Sequence, residues 1–81
     1  MKKQREKTEL NPEGIIIGDS VWLKAGKNNP EMLVDNIKFI KQTEKQNAFC
    51  EVTAVYWNDI RKKHYRETNK ATNLTLKKPY F

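Results

Sequence analysis

Apolar and polar residues alternate along this chain in short stretches, and turn-forming residues separate one stretch from the next. Met1 to Glu9 has no apolar residue after Met1, so it has no face to bury and reads as a flexible basic arm. Asn11-Pro12-Glu13-Gly14 is turn chemistry. The β-branched run Ile15-Ile16-Ile17 is expected to lie against the fold as an extended lead-in or brief strand. Gly18-Asp19 then turns into a first strand, about Ser20 to Ala25, with Val21 and Leu23 on one face and Trp22 and Lys24 on the other. Gly26 to Pro30 closes that strand, because Gly26 and the Asn pair tolerate positive φ and Pro30 holds Asn29 extended.

A second strand is predicted from Met32 to Ile40. Met32 and Val34 share one face, the phase then breaks, and Ile37 and Phe39 continue. Asp35-Asn36 lies at the break, as a β-bulge would. Lys41 to Asn47 has no hydrophobic residue and reads as an exposed loop. The third strand, Ala48 to Trp57, turns Cys50, Val52, Ala54 and Tyr56 toward the interior and Phe49, Glu51, Thr53, Val55 and Trp57 outward. After the Asn58-Asp59 turn comes His64 to Thr68 with Tyr65 inward, then a turn over Asn69 to Asn73, and a closing strand, Leu74 to Leu76. No stretch sustains apolar residues at helical spacing. The pattern predicts an all-β fold: a small SH3-like barrel of about five short antiparallel strands, residues 14–81, behind a flexible arm over residues 1–13.

Length and charge sharpen this. Eighty-one residues make one domain, and a chain of this size buries only roughly 60–65% of its unfolded surface. The net charge of +6 is uneven: +2 over residues 1–9, −1 over 10–40 and +5 over 41–81. Such a surplus serves solubility as readily as it serves a polyanionic partner. Cys50 is the only cysteine, so an internal disulfide is excluded, and a reducing cytoplasm is the expected compartment. No apolar run follows the first lysines as a secretory signal requires, and none approaches the length of a membrane-spanning helix.

The run Gly18-Asp19-x-Val21-x-Leu23-Lys24-x-Gly26, with Pro30 and Met32-x-Val34 after it, then Val52-x-Ala54-x-Tyr56-Trp57 and Tyr65, resembles the YodC-like family of small bacterial proteins of uncharacterised function. The likeness spans residues 18–76. It implies an SH3-like barrel and brings no activity. The chain departs from the family in three places. Gly26-Lys27-Asn28-Asn29-Pro30 replaces a Gly-Gly-Pro turn, Ala54 stands where the family has a cysteine, and Lys41 to Asn47 is a longer loop.

Candidate chemistry is sparse. His64 and Cys50 are the only histidine and the only thiol, with no phosphate-cradling loop, ordered triad or clustered metal ligands beside them. The chain is therefore read as a non-enzyme without a cofactor. The stronger pattern is aromatic residues interleaved with bases: Trp22 and Trp57 with Lys24, Lys38, Arg61, Lys62, Lys63 and Arg66. Such a face stacks bases and neutralises phosphates, which predicts weak, non-sequence-specific binding of RNA or DNA by an accessory barrel. The competing expectation packs outward tryptophans under a terminal segment. A reading of another class is a protein-interaction module, whose groove or sheet edge takes an acidic partner protein or peptide.

Overall fold

Five antiparallel strands, β1 (Ser20–Leu23), β2 (Met32–Ile40), β3 (Phe49–Asn58), β4 (Lys63–Lys70) and β5 (Leu74–Thr75), follow one another in the computed structural model, which describes residues 5–26 and 29–78. They form one sheet in the order β4-β3-β2-β1-β5, and a 3-10 turn, Ala71–Asn73, carries the chain from β4 to β5. The sheet forms a small barrel-like fold, in which β1 pairs with β2 on one side and with β5 on the other. No helix among the described residues is long and apolar enough to cross a membrane.

Alternation decides what the barrel encloses. Val21, Met32, Val34, Val52, Ala54 and Leu74 point inward and are buried, joined by Ile15 ahead of β1 and Ala71 in the 3-10 turn. Leu23, Ile37, Cys50, Tyr56 and Leu76 pack partly against them. The expected bulge is present. Val34 pairs with Ala54 and Asn36 with Thr53, so Asp35 is the extra residue. Because one residue is added, Val34 and Ile37 both face inward although they are three apart, and β2 bends across both halves of the barrel.

Element boundaries differ modestly from the sequence pattern. β1 stops at Leu23 rather than Ala25, and β4 extends to Lys70 rather than Thr68. The extension follows from a continuous ladder, Glu51 opposite Lys70 through Asn58 opposite Lys63, which outweighs the modest β propensity of Asn69 and Lys70.

The segment ahead of β1 makes polar contacts that the apolar pattern does not announce. Residues 5–13 fall within the expected flexible arm, and the structure lays them against the barrel. The Arg5 guanidinium grips Asp19, with Nη1 donating to Oδ2 at 2.6 Å and Nη2 to Oδ1 at 2.9 Å. Arg5 Nη1 also donates to the Gly14 carbonyl at 3.2 Å. Asn11 closes the turn: its Oδ1 accepts from Ile15 N at 2.9 Å, and its Nδ2 donates to Ile15 O at 3.0 Å. Glu13 Oε1 accepts from Leu76 N at 2.8 Å and Thr75 Oγ1 at 3.2 Å, tying the segment to β5. Gly14 has φ +66°, and a Cβ there would meet Arg5 Cβ at 2.7 Å. Polar side chains hold this segment where apolar periodicity gave no sign of it.

Candidate functional site

The eight residues of the basic-aromatic pattern are distributed over both faces and both ends of the barrel. Trp57 is on the outer face of β3 and 48% exposed. Its indole N–H donates to Asp59 Oδ1 at 3.0 Å, and its ring meets His64 edge-on at 5.0 Å. Arg61 and Lys62 are exposed in the β3–β4 turn just beyond it, where Asn58 Oδ1 accepts from Arg61 N at 2.9 Å. Arg66 shares the outer face, opposite Val55, but its Nη2 is 2.8 Å from Asp35 Oδ2. Its charge is already partnered.

The other members lie apart. Lys63 pairs with Asn58 and so faces away from Trp57, its ammonium 5.2 Å over the Tyr65 ring. Tyr65 in turn stacks on Tyr56 at 5.9 Å. Lys38 is opposite Glu51, toward the far end of β2 and β3. Lys24 lies 4.0 Å from the Glu13 carboxylate. Trp22 is half-buried on β1, opposite Thr75 of β5. A shallow hollow of about 370 Å³ beside Trp57 is lined by Ser20, Glu31, Leu33, Val55 and His64. Trp22 is not among its walls, and Glu31 brings a carboxylate that accepts from Ser20 Oγ at 2.7 Å.

Cys50 and His64 do not meet. Cys50 faces inward opposite Phe39, and His64 faces outward beside Trp57. Burial pushes the Cys50 thiol above its usual pKa, which lowers the thiolate fraction at neutral pH.

A larger concavity than the hollow beside Trp57 lies elsewhere. A groove of about 980 Å³ runs between the segment ahead of β1 and the inner side of β2 and β3 past the bulge. Leu10, Ile15, Ile16, Ile17, Ile37, Phe39 and Cys50 make its apolar surface, and Arg5, Glu6 and Glu9 stand on its outer wall. Ile17 is 61% exposed and Phe39 59%. The sequence held a sign of this. Ile15, Ile16 and Ile17 cannot all reach one core from consecutive positions, and only Ile15 does.

Asp19 organises the groove's near end. Its Oδ2 accepts from Ile16 N at 2.8 Å while the carboxylate holds Arg5. The Arg5 hydrogen bonds keep its pKa below the usual carboxylate value, with the Ile16 amide helping against partial burial.

Compared with protein-family models, curated proteins and solved structures, the chain finds no match in any of the three.

Proposed function

We propose that this protein is a protein-interaction module whose groove receives an apolar stretch of a partner protein. The observation that carries this reading is the exposure of Ile16, Ile17 and Phe39 together along one concave surface. Large apolar side chains scattered singly on a small domain need no explanation; several lining one groove mark a contact surface. The basic surplus of the chain favours an acidic partner. The likeness to YodC-like proteins rests on its residues alone and adds no activity to this reading.

A photo-cross-linking residue placed at position 39, compared with one at position 60, tests it in cells. Ile60 is 94% exposed in the β3–β4 turn, at the opposite end of β3 from Phe39's partner Cys50. The expected result is one defined protein cross-linked from position 39 and none from position 60. No adduct at position 39 would overturn the reading.

A second reading, weak nucleic-acid binding, is favoured by one specific observation. Trp57 offers an exposed ring next to Arg61 and Lys62. Titration of single- and double-stranded DNA and RNA at low salt tests it, with quenching of Trp57 fluorescence and steep loss of affinity as salt rises as the expected signature. Absence of binding at protein concentrations on the order of tens of micromolar removes this reading.

A further inference from the structure

Beside the groove, part of the β2 edge is unpaired among the described residues. Along β2, β1 pairs only with Met32 and Leu33. Val34 is the last residue served from that side, its carbonyl accepting from Gly18 N and its amide donating to Asp19 O, both at 2.9 Å. The chain ahead of β1 then leaves the edge through a turn in which Asp19 N donates to Ile16 O at 3.2 Å and Gly18 takes φ +96°. From Asn36 to Ile40, β2 pairs with β3 alone among the described residues. Backbone groups on a strand alternate in direction, so about half of the N–H and C=O groups in this stretch face the open side. The stretch is about 17 Å long.

Natural sheets protect such edges with charge, proline, shortness or a bulge. The outer edge strand β4 carries Lys63, Arg66, Glu67 and Lys70, and β5 has only two residues. The β2 edge beyond its bulge carries one charge, Lys38, and sets inward-facing Ile37 and Phe39 directly beside the groove. Among the described residues, unpaired backbone and apolar side chains thus coincide.

We propose that the β2 edge from Asn36 to Ile40 accepts an added β-strand from a partner, an extended segment with apolar residues on one side and acidic residues on the other. This deepens the protein-interaction reading and rests on it. Side chains of an added strand alternate between the two faces of the sheet. Those turned inward meet Ile16, Ile17, Ile37 and Phe39, and Glu6 and Glu9 across the groove disfavour an acid there. Those turned outward run beside Lys38, with Lys41 just past the strand end. Both lysines are exposed, and neither makes an ion pair within 4.0 Å among the described residues. Period-two sequence and period-two charge follow from the same pleat.

The experiment uses the full chain, isotope-labelled, and an end-blocked seven-residue peptide alternating glutamate and valine. Two further peptides carry N-methyl groups on alternate amides, one set in each phase, and a fourth replaces glutamate by lysine. The parent peptide should slow hydrogen exchange of the open-edge amides within residues 36–40 by about tenfold or more. One N-methyl phase should lose about tenfold in affinity, because its edge hydrogen bonds are removed while its side chains remain. The lysine peptide should bind at least about tenfold more weakly. Equal binding by the parent and both N-methylated peptides would overturn strand addition and leave the groove reading in place. No binding of the parent would likewise overturn the inference, while cross-linking at position 39 decides the groove reading separately. Equal binding of the lysine peptide would overturn the acidic preference.

Discussion

Arg5 and Asp19 form a two-point clamp, guanidinium to carboxylate at 2.6 and 2.9 Å, beside the groove that Arg5 helps to line. Asp19 also accepts from Ile16 N, so one side chain fixes both the leading segment and the turn that opens the β2 edge. The folded carboxylate has a pKa below its ordinary 3.8, chiefly through Arg5. A depressed acid stabilises the fold above the unfolded value and loses that contribution as pH falls through the folded one. Stability should therefore hold down to about pH 4 and decline below it. In Asp19→Asn this acid-limb contribution should be absent, as read by thermal melts between pH 2 and 6. Asp19→Ala should cost about 1 kcal/mol at neutral pH for the lost Ile16 turn bond alone. Arg5→Ala should cost less, since the guanidinium is exposed and water screens it.

Gly14→Ala tests the same segment from the other side. At φ +66° an L side chain is strained, and its Cβ would press on Arg5 Cβ at 2.7 Å and on the Glu6 carbonyl at 3.2 Å. The left-handed conformation alone costs about 1–2 kcal/mol. A melting decrease on the order of 4–8 °C per kcal/mol is expected for a domain of this size. Amide exchange should also rise selectively at Ile15, the amide that Asn11 Oδ1 accepts from. An unchanged melting temperature and unchanged Ile15 protection would show that residues 5–13 do not depend on Gly14.

The barrel was legible because its signals are local. Val21 and Leu23, Met32 and Val34, and Cys50 through Tyr56 each announce a face by alternation, and Asp35-Asn36 announces the bulge by breaking it. The docked leading segment was not legible, because Arg5, Asn11 and Glu13 hold it through polar contacts to partners 14, 4 and 63 residues away. Polar contacts of that kind leave no period in a sequence. The basic-aromatic set failed to gather for a related reason. Strand alternation correctly puts Trp57 outward, but only register shows that Lys63 turns to the other face and that Arg66 meets Asp35.

Cys50 supplies a reporter for the groove. Its thiol is half-buried against the core, lines the groove beside Phe39, and is pushed above its usual pKa by loss of solvation. A raised thiol pKa leaves folding stability intact below the unfolded value and erodes it as pH rises toward the folded one. Alkylation should accordingly run slower than for a free thiol at pH 7–8, by about threefold or more, and accelerate above that range. A segment seated in the groove should slow it again, by about fivefold or more at saturation. Rates unaffected by a bound peptide would place that peptide elsewhere on the barrel.

Lys62 separates charge from backbone geometry at the β3–β4 turn. It is the one non-glycine residue with positive φ among those described, at 55°. Its ammonium makes only a long contact to Asp59, 3.9 Å, between two largely exposed side chains. Replacing it by glycine relieves a left-handed conformation worth about 1–2 kcal/mol, against the extra chain entropy glycine brings to the unfolded state. Lys62→Gly should therefore stabilise the domain by about 0.5–1 kcal/mol in urea unfolding. Lys62→Ala removes the same charge without that relief and should leave stability within about 0.5 kcal/mol of the parent. The pair also bears on the nucleic-acid reading. If the turn contacts phosphate, both variants should weaken oligonucleotide binding equally and lower its salt slope by about one. If only the glycine variant differs from the parent, and only in stability, the lysine serves the turn and no polyanion.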